Sequence, residues 1–153
     1  MGRRDHILLY PVHEKPSIIP NGGFETAGAG GSDVFGSWTE QIAGTSVISA
    51  DTSTKRSGTQ SCKLHFPDGN ECYIWQQIGT VGQRYKVSLW AKTAAGGLFI
   101  YVAHGTATQA LTTTTSWAKY VFFITCTAND VFRVSRNGAG GTAWIDDVVV
   151  QKA

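Results

Sequence analysis

From Ile18 onward, apolar residues come in short runs that alternate with polar ones at period two, and turn chemistry interrupts them at close spacing. The pattern predicts strands near residues 17–20, 45–50, 60–66, 72–79, 84–93, 98–104, 117–126, 130–136 and 142–151. Asn21-Gly22-Gly23, Pro67-Asp68-Gly69-Asn70, Ala94-Ala95-Gly96-Gly97 and Asn137 to Gly141 supply turns. No helix of three turns is expected. Residues 1–17 differ: Pro11 and Pro16 break the segment, neither period persists, and it reads as an extended arm ahead of a β-sandwich spanning 18–153.

Two pairings follow from alternation. Closing Ala94 to Gly97 as a hairpin loop sets Thr93 opposite Leu98, Ala91 opposite Ile100 and Leu89 opposite Val102 on an apolar face. Lys92 with Phe99 and Trp90 with Tyr101 then share the other, polar and aromatic face. The Pro67 to Asn70 turn is less cooperative. Hairpin register pairs Leu64 with Tyr73 and Cys62 with Trp75, whereas alternation buries Ile74 and Ile78 and turns Tyr73, Trp75 and Gln77 outward. Both readings stand unless the two strands belong to different sheets, as in many jelly rolls.

Composition supports strands: Thr, Val and Ile number 17, 12 and 10, against seven for Leu plus Met. The 13 basic and 11 acidic residues are spread along the sequence, so no cluster forming a basic stripe for nucleic acid is expected. The charge-free run Thr93 to Ala118 is too rich in Thr, Gly and Ser for a spanning helix, so no membrane partner is expected. Ile7 to Tyr10 is too short for a signal-peptide core. Three cysteines, Cys62, Cys72 and Cys126, cannot all pair and read as buried thiols.

Ile19-Pro20-Asn21-Gly22-Gly23-Phe24-Glu25 with Trp38, Ser57-Gly58 leading to Ser61-Cys62-Lys63-Leu64, Gln76-Gln77-Ile78 with Tyr85 to Lys92, and Trp144-Ile145-Asp146-Asp147-Val148 together resemble carbohydrate-binding modules of the family 4/9 type. The resemblance implies an all-β jelly-roll β-sandwich of two antiparallel sheets, a ligand groove on one sheet, and in many members a structural Ca2+. It points to Glu25 and Asp146 as metal ligands, with carbonyls from the Asp51 to Gly58 turn; hard carboxylate oxygens suit that ion. Such modules occur in glycanases and in phage structural proteins.

A glycan needs an aromatic platform and surrounding hydrogen-bonding groups. Trp90 and Tyr101, with Phe99 beside them, offer the first; Gln77, Arg84 and Arg133 the second; Tyr73 and Trp75 join if their strand faces outward. Trp38, Trp117 and Trp144 read as packing residues. Glycosidase chemistry needs two carboxylates across a cleft; Asp146 and Asp147, adjacent on a strand, point to opposite faces. The expectation is a non-catalytic interaction module. A virion structural or capsid decoration protein comes first, in a homo-oligomer or a larger capsid or tail assembly, with arm residues Arg3, Arg4, Leu8, Leu9 and Tyr10 docking on a neighbouring subunit. The alternative is a polysaccharide-binding module of a secreted or cell-surface glycanase.

Overall fold

The computed structural model describes residues 14–96, 99–136 and 140–153, with Phe99 placed by its backbone only. Twelve strands follow in order: β1 (Ala27–Gly30), β2 (Asp33–Phe35), β3 (Thr39–Gln41), β4 (Val47–Asp51), β5 (Ser61–Phe66), β6 (Cys72–Gln77), β7 (Arg84–Thr93), β8 (Phe99–His104), β9 (Ala107–Thr112), β10 (Ala118–Thr125), β11 (Val131–Arg136) and β12 (Gly141–Lys152). They build two five-stranded antiparallel sheets, a front sheet ordered β3-β6-β11-β8-β9 and a back sheet ordered β10-β7-β12-β5-β4. β1 and β2 form a small ribbon of their own. This is the jelly-roll-like β-sandwich that the sequence predicts.

Period-two alternation packs the layers. Val87, Leu89 and Ala91 of β7, Leu64 and Phe66 of β5, and Ile145 and Val150 of β12 face Ile74, Ile100, Val102, Phe132 and Val134 of the front sheet, all fully buried. Each large side chain withdrawn from water contributes roughly 1.5–3 kcal/mol, an upper bound because unfolded chains already bury some surface. β12 is the spine of the back sheet and pairs with both β5 and β7. Its register slips between Asp146 and Val149, where Asp147 takes a φ of 49°. The bulge absorbs one extra residue, so Ile145 and Val148 both point inward although three positions apart.

One end of the sandwich is closed by Phe24, stacked on Trp38 at 5.3 Å and edge-on to Phe35 at 5.1 Å. Asn21 organises this plug: its side chain donates to the carbonyls of Thr26 and Gly36 and accepts from the Thr26 N–H, while its own carbonyl accepts from Trp38 Nε1. Trp38 is therefore a packing residue. The three cysteines are free and buried; burial raises each thiol pKa, that of Cys72 to about 12.

Several expectations need correction. Residues 17–20 form no strand, although the Ile18 N–H donates to the Val150 carbonyl. β7 and β8 are not a hairpin: Ala91 pairs with Ala118 and Ile145, and Ile100 with Leu111. The described apolar residues of both strands do face the core, but from opposite sheets, so Ala94 to Gly96 lies in a connection between layers. The same separation resolves the ambiguity at Pro67 to Asn70. β5 lies in the back sheet and β6 in the front, so Cys62, Leu64, Cys72 and Ile74 are all buried while Tyr73 and Trp75 turn outward. β9 and the short β1 to β3 escape the periodic signal because they are polar, Gly-rich and largely exposed.

Candidate functional site

β6 is an interior strand of the front sheet, held between β3 and β11. Burial of Cys72, Ile74 and Gln76 on its inner side dictates that Tyr73 and Trp75 project from the outer side. Across the ladder Tyr73 opposes Gln41 and Ser135, and Trp75 opposes Thr39 and Arg133. The result is a groove of about 340 Å³ lined by Gln41, Tyr73, Trp75, Gly105, Asn129, Val131 and Arg133.

The polar groups are held in place. The Arg133 guanidinium lies 4.9 Å from the centre of the Tyr73 ring, and its Nη1 sits 3.4 Å from Glu71 Oε1. Both partners are about one-third exposed, so the pair orients the guanidinium more than it stabilises the fold. Gly105 shapes one end of the groove. With φ at 67° and a would-be Cβ only 1.5 Å from the Thr127 carbonyl oxygen, that position excludes any side chain and brings the end of β8 against the 127–129 loop. The Gly105 N–H donates to the Val131 carbonyl at 2.8 Å. The groove therefore offers two aromatic side chains two residues apart, about 7 Å along the strand, together with amide and guanidinium donors.

The sequence-predicted ligand residues divide between the two sheets. Tyr73 and Trp75 line the groove, Gln77 follows them exposed on the same strand face, and Tyr101 is half-buried on β8, opposite Ser135. Trp90 and Arg84 point away from the back sheet, on the far side of the sandwich, with Trp90 under the Arg56 guanidinium at 4.2 Å. Trp90 and Tyr101 therefore share no face, a direct consequence of β7 and β8 lying in different layers. The Phe99 side chain and arm residues Arg3, Arg4, Leu8, Leu9 and Tyr10 lie outside the described residues. Gln41, Gly105, Asn129 and Val131 were not singled out by the sequence; only Gly105, in a turn-forming segment, carried a local signal.

Glu25 and Asp146 approach the same loop. Asp146, fully buried, accepts from the Arg56 N–H at 2.8 Å, the Ser57 N–H at 3.2 Å and the Asp147 N–H at 2.8 Å. Burial pushes its carboxyl above the ordinary range, and these N–H groups partly offset the shift. Glu25 accepts from the Thr59 hydroxyl and N–H and from the Gln60 N–H; the hydroxyl bond leads the effects that lower its carboxyl. Among the described residues no three His, Cys, Asp or Glu side chains gather to hold a metal ion. The oxygens are of the type a hard cation takes, yet main-chain N–H groups now occupy them.

No protein-family model matches the chain, and no curated protein does. Solved structures do. A CBM4 superposes with a TM-score of 0.59 at 21% identity over 88% of this chain and 99% of its own. TmCBM61 in complex with β-1,4-galactotriose gives 0.63 at 15% identity over 90% and 99%. The enzymatically active domain of tailspike protein 4 from bacteriophage CBA120 gives 0.64 at 13% identity over 90% of this chain but 21% of its own. Modules of different families fit comparably, so the likeness does not single out the 4/9 type. What it establishes is the fold, a carbohydrate-binding-module-like jelly roll.

Proposed function

We propose that the protein is a non-catalytic polysaccharide-binding module whose front-sheet groove receives a glycan chain. The observation that carries this is the pair Tyr73 and Trp75, side by side on the outward face of an interior strand with Arg133 beside them. Rings in that setting meet the apolar faces of sugars, while Gln41, Asn129 and Arg133 address hydroxyls. Among the described residues no carboxylate lines the groove, which leaves hydrolysis without its paired acids. The structural likenesses favour this reading over capsid decoration, because most are carbohydrate-binding modules and the phage domain spans far more than this chain. A secreted or cell-surface setting goes with it. The virion and assembly reading rested on the arm, whose docking residues Arg3, Arg4, Leu8, Leu9 and Tyr10 lie outside those described.

Affinity electrophoresis in gels containing xylan, β-glucan, galactan or mannan tests the proposal. Trp75→Ala and Tyr73→Ala should each weaken retardation by about tenfold, or about 1.4 kcal/mol, as expected for an anchoring aromatic, while Trp90→Ala should retain wild-type behaviour. Melting temperatures should stay close to wild type because both rings are partly exposed. Unchanged retardation in both groove variants, or none by any glycan in the wild type, would refute the assignment.

A structural calcium belongs to the same reading. Glu25 and Asp146 would hold it against the 56–60 loop, whose carbonyls would replace the N–H groups now facing them. Melting in millimolar calcium should then exceed melting in EGTA by several degrees, through binding to the folded state alone. Equal melting temperatures would leave the loop held by hydrogen bonds only.

A further inference from the structure

Basic residues scattered along the sequence converge on the outward face of the back sheet. Arg84, Lys86 and Lys92 project from β7, Lys119 from β10 and Lys63 from β5, and Arg56 reaches over from the neighbouring loop. These six are nearly half of the chain's 13 Lys and Arg. Aromatic rings hold four of them: Arg56 stands 4.2 Å from the Trp90 ring centre, Arg84 4.7 Å from Phe123, and Lys92 and Lys63 5.4 and 6.0 Å from Trp144. Lys63, Trp144 and Lys92 form one row across β5, β12 and β7. Trp144 is thus no core residue; its Nε1 donates to Asp51 Oδ2 at 2.8 Å, which fixes the ring between the two ammonium groups.

Among the described residues no ion pair forms within this array: none of the six has a carboxylate within 4.0 Å, and the recorded ion pair, Arg133 with Glu71, is on the front sheet. The nearby acids bond neutral donors or stand off: Asp51 accepts from Trp144, Ser53 and Thr54, Asp146 from main-chain N–H groups beneath the loop, and Glu14 shares a pocket with Lys86 and Phe123, so the direct partners of the cations are rings rather than carboxylates. Cations pinned by cation–π contacts have already lost rotamer freedom, which reduces the entropic cost of engaging an anion. Strand geometry spreads them about 26 Å along β7 and about 10 Å from β5 to β7. That footprint suits a chain carrying several anionic groups rather than a single ion.

We infer that this face is a second binding site, for an acidic polysaccharide bearing carboxylate or sulfate groups. Nucleic acid fits less well. The rings are covered by the protein's own cations and offer no platform for stacked bases, and five strands span about 19 Å, too broad for a duplex major groove of about 12 Å. The glycan class is consistent with the fold likeness, but the site is independent of the front groove.

The test compares wild type with Lys63→Ser/Lys92→Ser in gels containing polygalacturonate or alginate for carboxylate, chondroitin sulfate for sulfate, and xylan as the neutral control, with duplex DNA and anionic phospholipid vesicles as further probes. The double variant should lose about tenfold or more of its retention by the acidic glycan that binds, and retention of the wild type should fall steeply with salt. Trp75→Ala should leave this retention unchanged, which separates the second site from the groove. If the double variant misfolds by circular dichroism, Lys119→Ser should weaken retention on its own, whereas Lys92→Arg should preserve it. Retention equal in wild type and variants, absence of retention by any acidic glycan, or preference for DNA or vesicles would overturn the proposal.

Discussion

His104 is fully buried between Tyr85, 4.9 Å away, and Phe132, 5.8 Å away, and its Nε2 lies 2.9 Å from the Ile78 carbonyl oxygen. The carbonyl can only accept, so Nε2 carries the proton, and Nδ1 is left with no hydrogen-bond partner. A second proton on Nδ1 would be a buried charge facing nothing that accepts it. Burial lowers the imidazole pKa accordingly, outweighing the Ile78 bond and the nearby Asp130 charge. Because the folded state binds this proton less readily than the unfolded one, the stabilisation is complete above about pH 6.5 and is lost as the pH falls from there toward the lowered value. Urea midpoints should therefore drop between pH 7.5 and 5.5 in wild type and drop less in His104→Phe. That variant starts lower by about 1–3 kcal/mol because the Ile78 carbonyl loses its donor. An equal drop in both proteins would show that other groups govern the acid response.

Among elements, alternation discloses which side of a strand is buried but not which strand lies beside it. Leu89, Ala91, Ile100 and Val102 are all buried as expected, yet their strands belong to opposite sheets, because the inner faces of two layers look alike in sequence. The same limit explains the site. The outward pair Tyr73 and Trp75 was one of two readings the sequence left open, the one in which Ile74 is buried, whereas Gln41 and Asn129 reach the groove through pairings between distant segments that no local pattern encodes. Trp90 and Tyr101 were assigned a common face by the hairpin and lost it with the hairpin. At β12 the bulge matters to a neighbouring loop as well as to the strand. Asp146 ties Arg56 and Ser57 to the strand, and Asp147 accepts from the Ser57 hydroxyl at 2.7 Å. Asp146→Ala should strand three main-chain donors, the N–H groups of Arg56, Ser57 and Asp147, and cost about 2–4 kcal/mol in denaturant unfolding. A loss under about 0.5 kcal/mol would mean that the loop reaches water for its donors.

For the whole molecule, the two sheets divide the chemistry: aromatic rings and amide groups in the front groove, pinned cations on the back. β12 passes between these surfaces and also meets the first described segment. The Lys15 carbonyl accepts from Gln151 Nε2, the Ile18 N–H donates to Val150 at 2.7 Å, and the Val148 N–H donates to Gly22 at 2.8 Å, while Ala153 is fastened to Arg84. Lys15 and Ala153 therefore emerge side by side, from segments that run in opposite directions. Tension applied between them meets these bonds one after another, from Gln151 inward, as in a zipper rather than a sheared ladder. On the other side Ala153 and Lys152 are held by Arg84 and Tyr85 of β7, so the same pull also loads the end of the β12–β7 ladder. The front-sheet groove is built in the other layer, so the strands first loaded from Lys15 and Ala153 are not those that form it.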